Sequence, residues 1–547
     1  MKRYGVDGAS IASKRVVTVL IISVLASVPI LAVLGSLFLP QSVSWTTLWE
    51  TTLPDYLFNT LGLMVLVGLF TAIVGTGTAW CVTAFDFPFR KTLSLMLILP
   101  LSAPAYIIAY LYTDIMEFYG PVQSSLRSIM NWSVGDYWFP SIRNVPGAAL
   151  MLGLVLYPYV YLLARAAFLY QSQGQWHAAR SLGLTPFRAF YRVALPAARP
   201  AIAGGLALVL METLADFGVA DYFAIPTFST GIFRNWLALG DKVVAMKLAA
   251  IMLLIVFVLV MMESQSRKGS TATHGKTKAQ TGRMTLSRPQ AIATFMACAL
   301  PVLFGFLIPV CVLGFYALTH GDPQNARQFF TYAFNSLSTA IIVGGICVAI
   351  AIFLAYARRT HDSGVLKVGI RFATLGYALP GALLAVGLLA PLGALDQSLS
   401  RFLKDVFGGS QGLILTGTSL ALIYALTIRF LTVSFNGISG GFDKLPLSMD
   451  RAARSLGSSP SQVVRYIHLP LLRSTVLAGG MLVFIDVMRE LPATLILRPF
   501  NFETLATRVY WLASDERLVE ASTASLLIIF IGTIPILFLN KYAMESE

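Results

Sequence analysis

Apolar and polar positions alternate along this chain on the scale of a bilayer rather than of a strand. Six largely apolar runs come first: Val16–Leu39, Leu57–Ala84, Thr92–Tyr112, Pro146–Phe168, Pro200–Phe223 and Val243–Met261. Six more follow a polar interruption: Ala291–Leu318, Phe334–Ala357, Phe372–Leu392, Leu413–Thr432, Leu472–Met488 and Ala521–Leu539. At ~1.5 Å rise per helical residue, each run approaches or exceeds the ~30 Å thickness of a hydrocarbon core. The pattern predicts an all-α integral membrane protein of about twelve spans. The interruption, Glu263–Arg288, is rich in Ser, Thr, Gly and basic residues and has no apolar period, so it reads as a linker. The expected division is a first half over residues 1–262, a cytoplasmic linker over 263–288, and a second half over 289–547.

The halves repeat each other. His177–Pro196 reads HAARSLGLTPFRAFYRVALP and Arg451–Pro470 reads RAARSLGSSPSQVVRYIHLP, nine of twenty positions being identical with no gap in register. Phe58-Asn59-Thr60 is echoed by Phe334-Asn335-Ser336, and Gly204-Gly205 by Gly479-Gly480. An even number of spans per half means that both enter the membrane the same way, a parallel repeat. Each copied stretch falls between the fourth and fifth spans of its half. Ala178, Ala179 and Leu182, like Ala452, Ala453 and Leu456, form a small apolar helical face. Gly183 and Gly457 let that helix end or let another backbone pass close above it, and a second helix starts near Pro186 and Pro460 behind a Ser or Thr cap. Pro196 and Pro470 are expected to break the chain before it re-enters the bilayer. Two such faces fit a partner with two-fold symmetry, or two similar partner subunits.

Composition agrees with the spans: 56% of residues are hydrophobic and 12% charged, about half the charged share of soluble domains. The net charge of +14 raises the question of nucleic acid, but its distribution answers it. With the N-terminus inside, most Lys and Arg fall in inner loops and termini, among them Arg90, Lys91, Arg358, Arg359, Lys367, Arg371 and six residues of the linker. That bias orients the chain against anionic lipid, with both termini cytoplasmic, and needs no nucleic acid. The basic start followed by the first apolar run reads as an uncleaved span rather than a signal peptide. Cys81, Cys298, Cys311 and Cys347 lie in apolar segments without CxxC spacing and read as packing residues.

Ionisable residues inside spans are costly unless paired, hydrated or functional. The fifth span carries Glu212 and Asp216, four apart and thus on one helical face, with Asp221 and Tyr222 just beyond. The eleventh span carries a second such set, Asp486 and Glu490 again four apart with Arg489 adjacent. A path lined this way suits a cationic substrate. Neutralisation by Arg489 or Lys247, or helix capping, is the structural alternative. Carboxylates and a phenol also suit ferric iron, yet no His-x-x-x-His or similar cluster exists, so no permanent metal site is expected. No GxxxxGK[ST] motif, nucleophile–base pair or other catalytic constellation is present.

The repeated insert resembles the EAA loop of ATP-binding-cassette importer permeases: Glu-Ala-Ala, three residues, Gly, nine residues, then Ile-x-Leu-Pro. The matching residues are Ala178, Ala179, Gly183, Leu195 and Pro196 in one copy, and Ala452, Ala453, Gly457, Leu469 and Pro470 in the other. The leading Glu is replaced by His177 and Arg451. The resemblance implies two tandem six-helix repeats of the type I importer transmembrane fold in a bacterial inner membrane. It implies that these ten residues couple to two copies of a separate ATP-binding subunit, which would hold ATP and Mg, while this chain binds no cofactor and is not itself an enzyme. It also implies a periplasmic substrate-binding protein as partner and transport by alternating access. Glu212–Gly218, Asp221–Phe223 and Phe228–Phe233 further resemble the fused twelve-span ferric-iron-uptake permeases. Related permeases for thiamine and polyamines share the scaffold, and an ion-coupled secondary transporter is the rival of another class.

Overall fold

A computed structural model describes residues 4–40, 43–170, 185–268, 283–320, 326–361, 363–408 and 413–545. Most of the 263–288 linker lies outside these described residues. The principal helices are α1 Tyr4–Gly35, α2 Leu53–Ala84, α3 Ala105–Met116, α4 Val145–Tyr170, α5 Leu195–Ala215, α6 Gly218–Tyr222, α7 Lys242–Lys268, α8 Arg288–Val302, α9 Ile308–Thr319, α10 Ala326–Thr360, α11 Gly381–Phe407, α12 Ser419–Asp443, α13 Leu447–Ser455, α14 Arg473–Met488, α15 Pro492–Leu497 and α16 Leu518–Glu545. Among the described residues the β-structure is one short parallel pair, Phe85–Asp86 with Met284–Thr285. Among the described residues ten helices are long and apolar enough to span a bilayer, or up to twelve if each of two bent pairs counts as one span.

Two compact units emerge, each drawn from three stretches of chain. The first comprises Val43–Gly231, Met252–Pro323 and Val509–Glu547; in it α2, α4 and α5 pack together and α9 packs on α16. The second comprises Met1–Ser42, Ile232–Ile251 and Gln324–Arg508; in it α10, α12 and α14 pack together and α1 lies on α11. Each unit therefore combines the middle of one sequence half with terminal segments of the other, a packing division distinct from the sequence division at the linker. The echoed FNT and FNS motifs do the same work in each. In the first unit Asn59 donates to the Pro226 carbonyl (3.1 Å) and Thr60 accepts from the Phe228 amide (3.2 Å). In the second, Asn335 donates to the Glu503 carbonyl (2.9 Å) and Ser336 accepts from the Leu505 amide (2.8 Å).

The spans depart from the expected runs where backbone groups find other partners. The third is not one rod: Arg90–Ser102 meets Ala105–Met130 at 92°, because Pro104 cannot continue a helix. The fifth helix stops at Ala215 rather than running on to Phe223. The tenth begins at Ser419, not Leu413. The amides of Ile414, Leu415 and Thr416 donate instead to the Asp396 carboxylate at 2.9, 2.8 and 2.7 Å, and Thr418 caps the new start. Pro196 and Pro470 do not break the chain as expected. In both copies a π-helical turn, Phe190–Ala194 and Val464–His468, leads straight into the helix that holds the proline. The first copy continues as α5, whereas the second bends by 81° only at Leu472.

Candidate functional site

The second insert is fully described. After α12 the chain turns at Lys444 and Leu445 into α13, which ends in a Schellman motif: the Gly457 amide donates to Arg454 O and the Ser458 amide to Ala453 O, both at 3.0 Å. Gly457 takes φ +86°, a left-handed conformation that a β-carbon disfavours, although a Cβ there would meet open space. Ser459 then starts the return leg with a capping box, accepting from the Gln462 amide (3.4 Å) and donating its own to Gln462 Oε1 (2.7 Å). Ala453 and Val463 are buried, Ala452 and Pro470 exposed and Leu469 half-buried. Leu456 stands 87% exposed at the tip.

A buried carboxylate fastens this hairpin to its unit. Asp450, on the inner face of α13, accepts from Arg359 Nε at 2.7 Å and lies 2.8 Å from His468 Nε2 on the return leg. Arg359, in the last turn of α10, also donates to the carbonyls of Phe442, Leu445 and Pro446 at 2.8, 2.9 and 3.1 Å. Burial works to raise the Asp450 pKa, but hydrogen bonds from Arg359 and His468 outweigh it and hold the carboxyl below the ordinary aspartate range. The His468 ring packs edge-on against Phe442 at 5.0 Å and beside Tyr356 at 5.7 Å. None of Asp450, Arg359 or His468 figures among the site residues expected from sequence. The available signal was a departure from the repeat: in the register of the first copy, Asp450 and His468 correspond to Trp176 and Ala194.

The tip of the first insert, with Ala178, Ala179 and Gly183, lies outside the described residues. Its return leg is described from Thr185, whose hydroxyl accepts from the Arg188 amide at 3.4 Å. Leu195 and Pro196 are half-buried at the start of α5. Here the fastening is aromatic. Trp80 at the end of α2 packs 5.3 Å from Phe168 on α4 and 5.0 Å from Phe190 on the leg.

The in-span acids resolve into distinct roles. Glu212 and Asp216 do not share a helical face, because α5 ends between them. Asp216 caps α6 instead, accepting from the amides of Val219 and Ala220 at 3.1 and 3.2 Å. Glu490, which holds the register of Asp216 in the second half, does the same for α15, accepting from the amides of Ala493 and Thr494, both at 3.0 Å. It is buried and also accepts from Arg429 at 2.9 Å. A Cβ on Gly381 would come within 2.2 Å of Arg429 Nη1 and 2.5 Å of Glu490 Oε1, so only glycine leaves room for this pair. Asp486 pairs with Arg489. Lys247 reaches the Pro40 carbonyl, at 3.5 Å. In the first unit Asp221 accepts from Tyr510 at 2.8 Å, and Tyr222 stacks edge-on with Tyr110 at 4.4 Å. Arg143 lies over Tyr222 at 5.0 Å and pairs with Glu117 at 2.6 Å. A cavity of about 420 Å³ opens beside them in the 113–144 loop, lined in part by Glu117, Gln123, Tyr137, Trp138 and Arg143. Thus two of the predicted acids are helix caps at chain breaks, Asp486 is ion-paired, and Glu212 stays half-buried one turn before its break.

Bilayer-length helices, with an insert repeated in sequence between them, define a class. Residues 72–268 match the family described as the binding-protein-dependent transport system inner membrane component. The chain is a multi-pass inner-membrane permease of a binding-protein-dependent ABC importer. Among its relatives, the Fe(3+)-transport system permease protein FbpB 2 of Haemophilus influenzae is 23% identical over 512 residues, covering 91% of this chain and 92% of that one. The ferric transport system permease protein FbpB of Actinobacillus pleuropneumoniae is 20% identical over 491 residues, 85% of this chain and 67% of its own. The sulfate transport system permease protein CysT of Escherichia coli is 24% identical over 189 residues, 33% of this chain and 64% of its own.

Proposed function

We propose that this chain moves ferric iron across the inner membrane, powered by two copies of a separate ATP-binding subunit and supplied by a periplasmic binding protein. What carries the reading is the insert repeated in constant register within a single fused chain, taken with long-matching relatives whose names specify ferric transport. Both termini and both inserts face the cytoplasm, where each insert seats one ATP-binding subunit through the residues around Gly183 and Gly457. ATP and Mg²⁺ belong to that partner. The permease performs no covalent chemistry and has no catalytic residue.

ATP binding draws the two partner subunits together and carries the inserts with them. The return legs, continuous through π-helical turns with the helices that hold Pro196 and Pro470, pass that displacement toward the breaks capped by Asp216 and Glu490. Those breaks act as the gating joints of alternating access. Glu212, Asp221 and Tyr222 supply hard oxygen atoms of the kind ferric iron favours, and their charge disfavours an oxyanion cargo.

The test is the ATPase activity of this chain co-purified with its ATP-binding partner, measured with loaded and empty binding proteins. Stimulation by the ferric-loaded protein alone supports the assignment. Stimulation by a sulfate-, thiamine- or polyamine-loaded protein keeps the machine and overturns the iron. Transport that follows an ion gradient with no ATPase partner overturns both.

A further inference from the structure

The charge on the second insert is sorted by face. Between Asp443 and Pro470 the exposed charged residues are Asp443, Lys444, Arg451, Arg454 and Arg465. Asp443 is taken up by Arg358 at 3.2 Å. The other acid of the stretch, Asp450, is turned inward and held by Arg359 and His468. What α13 offers outward is Arg451 and Arg454, one turn apart on one face, ending at the protruding Leu456. The first copy has the same chemistry in sequence, with His177 and Arg180 in the registers of Arg451 and Arg454 and Leu182 in that of Leu456.

We infer that the second insert docks as a basic collar around a leucine knob, and that the partner groove which receives it is lined with carboxylates around an apolar slot. This rests on the reading of the inserts as seats for the ATP-binding subunit and adds the polarity of the contact. A groove lined with basic residues is excluded by the same faces, since two arginines brought against like charge repel. The inward clasp on Asp450 serves this arrangement: a carboxylate beside Arg451 would neutralise the collar if it were exposed.

The experiment measures how much ATP-binding subunit stays with the affinity-purified full chain as NaCl is raised, in wild type and in the double variants R451E/R454E and R451K/R454K. Membrane yield of each variant is measured alongside. The wild type is expected to lose partner as salt rises, because exposed charge pairs are screened. The Lys variant should track it, and the Glu variant should retain about tenfold less partner at low salt while inserting normally. Retention of the partner by the Glu variant at wild-type level overturns the inference; if a Gly457→Val variant then releases it, the seat stands and only its polarity is wrong. If both variants keep the partner, the docking reading itself fails. A Glu variant that keeps its partner but loses binding to phosphatidylglycerol vesicles assigns the collar to lipid and likewise overturns the inference.

Discussion

In the first unit the return leg of the insert is held by three aromatic rings, Trp80, Phe168 and Phe190. In the second unit the ring in the register of Phe168 is Phe442, and it packs against His468. The Phe190 register holds Val464, and the fastening has passed to the buried set of Arg359, Asp450 and His468. Both solutions tie the end of a long helix to the return leg of a repeated insert. The aromatic one is non-directional and tolerates sliding, since dispersion and apolar burial depend weakly on angle. The ionic one is directional, because every donor must meet its acceptor or leave a buried charge unpaired. A duplicated element therefore keeps much of its sequence while its attachment to its own unit is free to change chemistry.

The comparison is broken most severely by Asp450→Ala, which leaves Arg359 and His468 buried without their acceptor. It should destabilise the second unit by about 3–5 kcal/mol, seen as a lowered Tm of the detergent-solubilised protein and as new proteolysis within 444–472. Trp80→Ala should cost the first unit roughly 2–3 kcal/mol, less than a fully buried aromatic because the ring is only half-buried. Proteolysis should then appear around 185–196 and not in the second insert. Cleavage in both inserts from either variant would contradict separate fastenings. Gly457→Ala should cost about 1–2 kcal/mol through its left-handed φ alone, with the loss confined to the tip of α13 in hydrogen exchange.

The smallest expected effect is that of pH. The folded Asp450 pKa lies below its unfolded value. Its contribution is therefore complete above the ordinary aspartate value of about 4 and is lost only as pH falls through the depressed folded value. A Tm profile from pH 8 to 5 should show no loss attributable to the Asp450 carboxyl, and Asp450→Asn should flatten the fall seen at still lower pH. The aromatic clasp carries no titrating group and has no such limb.

Much of this architecture was legible in the amino-acid order. Runs such as Leu57–Ala84 reveal membrane helices because a bilayer imposes both length and apolarity, and a repeat in constant register needs no structure to be seen. The breaks were not legible from hydropathy, which counts apolar residues without asking where their amides donate. Glu212 and Asp216 satisfy the spacing of a shared helical face, yet the helix ends at Ala215 between them, and a new helix starts at Gly218, as another starts at Pro492 in the second unit. Arg359 read only as positive charge beside a span, since nothing in the sequence reveals that it reaches Asp450 91 residues later. Long-range polar partners are chosen by packing, and the repeat exposes them only where one copy departs from the other, as His468 does from Ala194.

The central claim, that the inserts couple a separate ATPase to import, is tested most directly by radio-iron uptake into proteoliposomes holding the assembled transporter, with ferric-loaded binding protein outside and ATP inside. Uptake should require both, and Gly457→Val should abolish it while the binding protein still associates. Uptake that persists without ATP, or that runs unchanged in the Gly457→Val variant, would contradict the account.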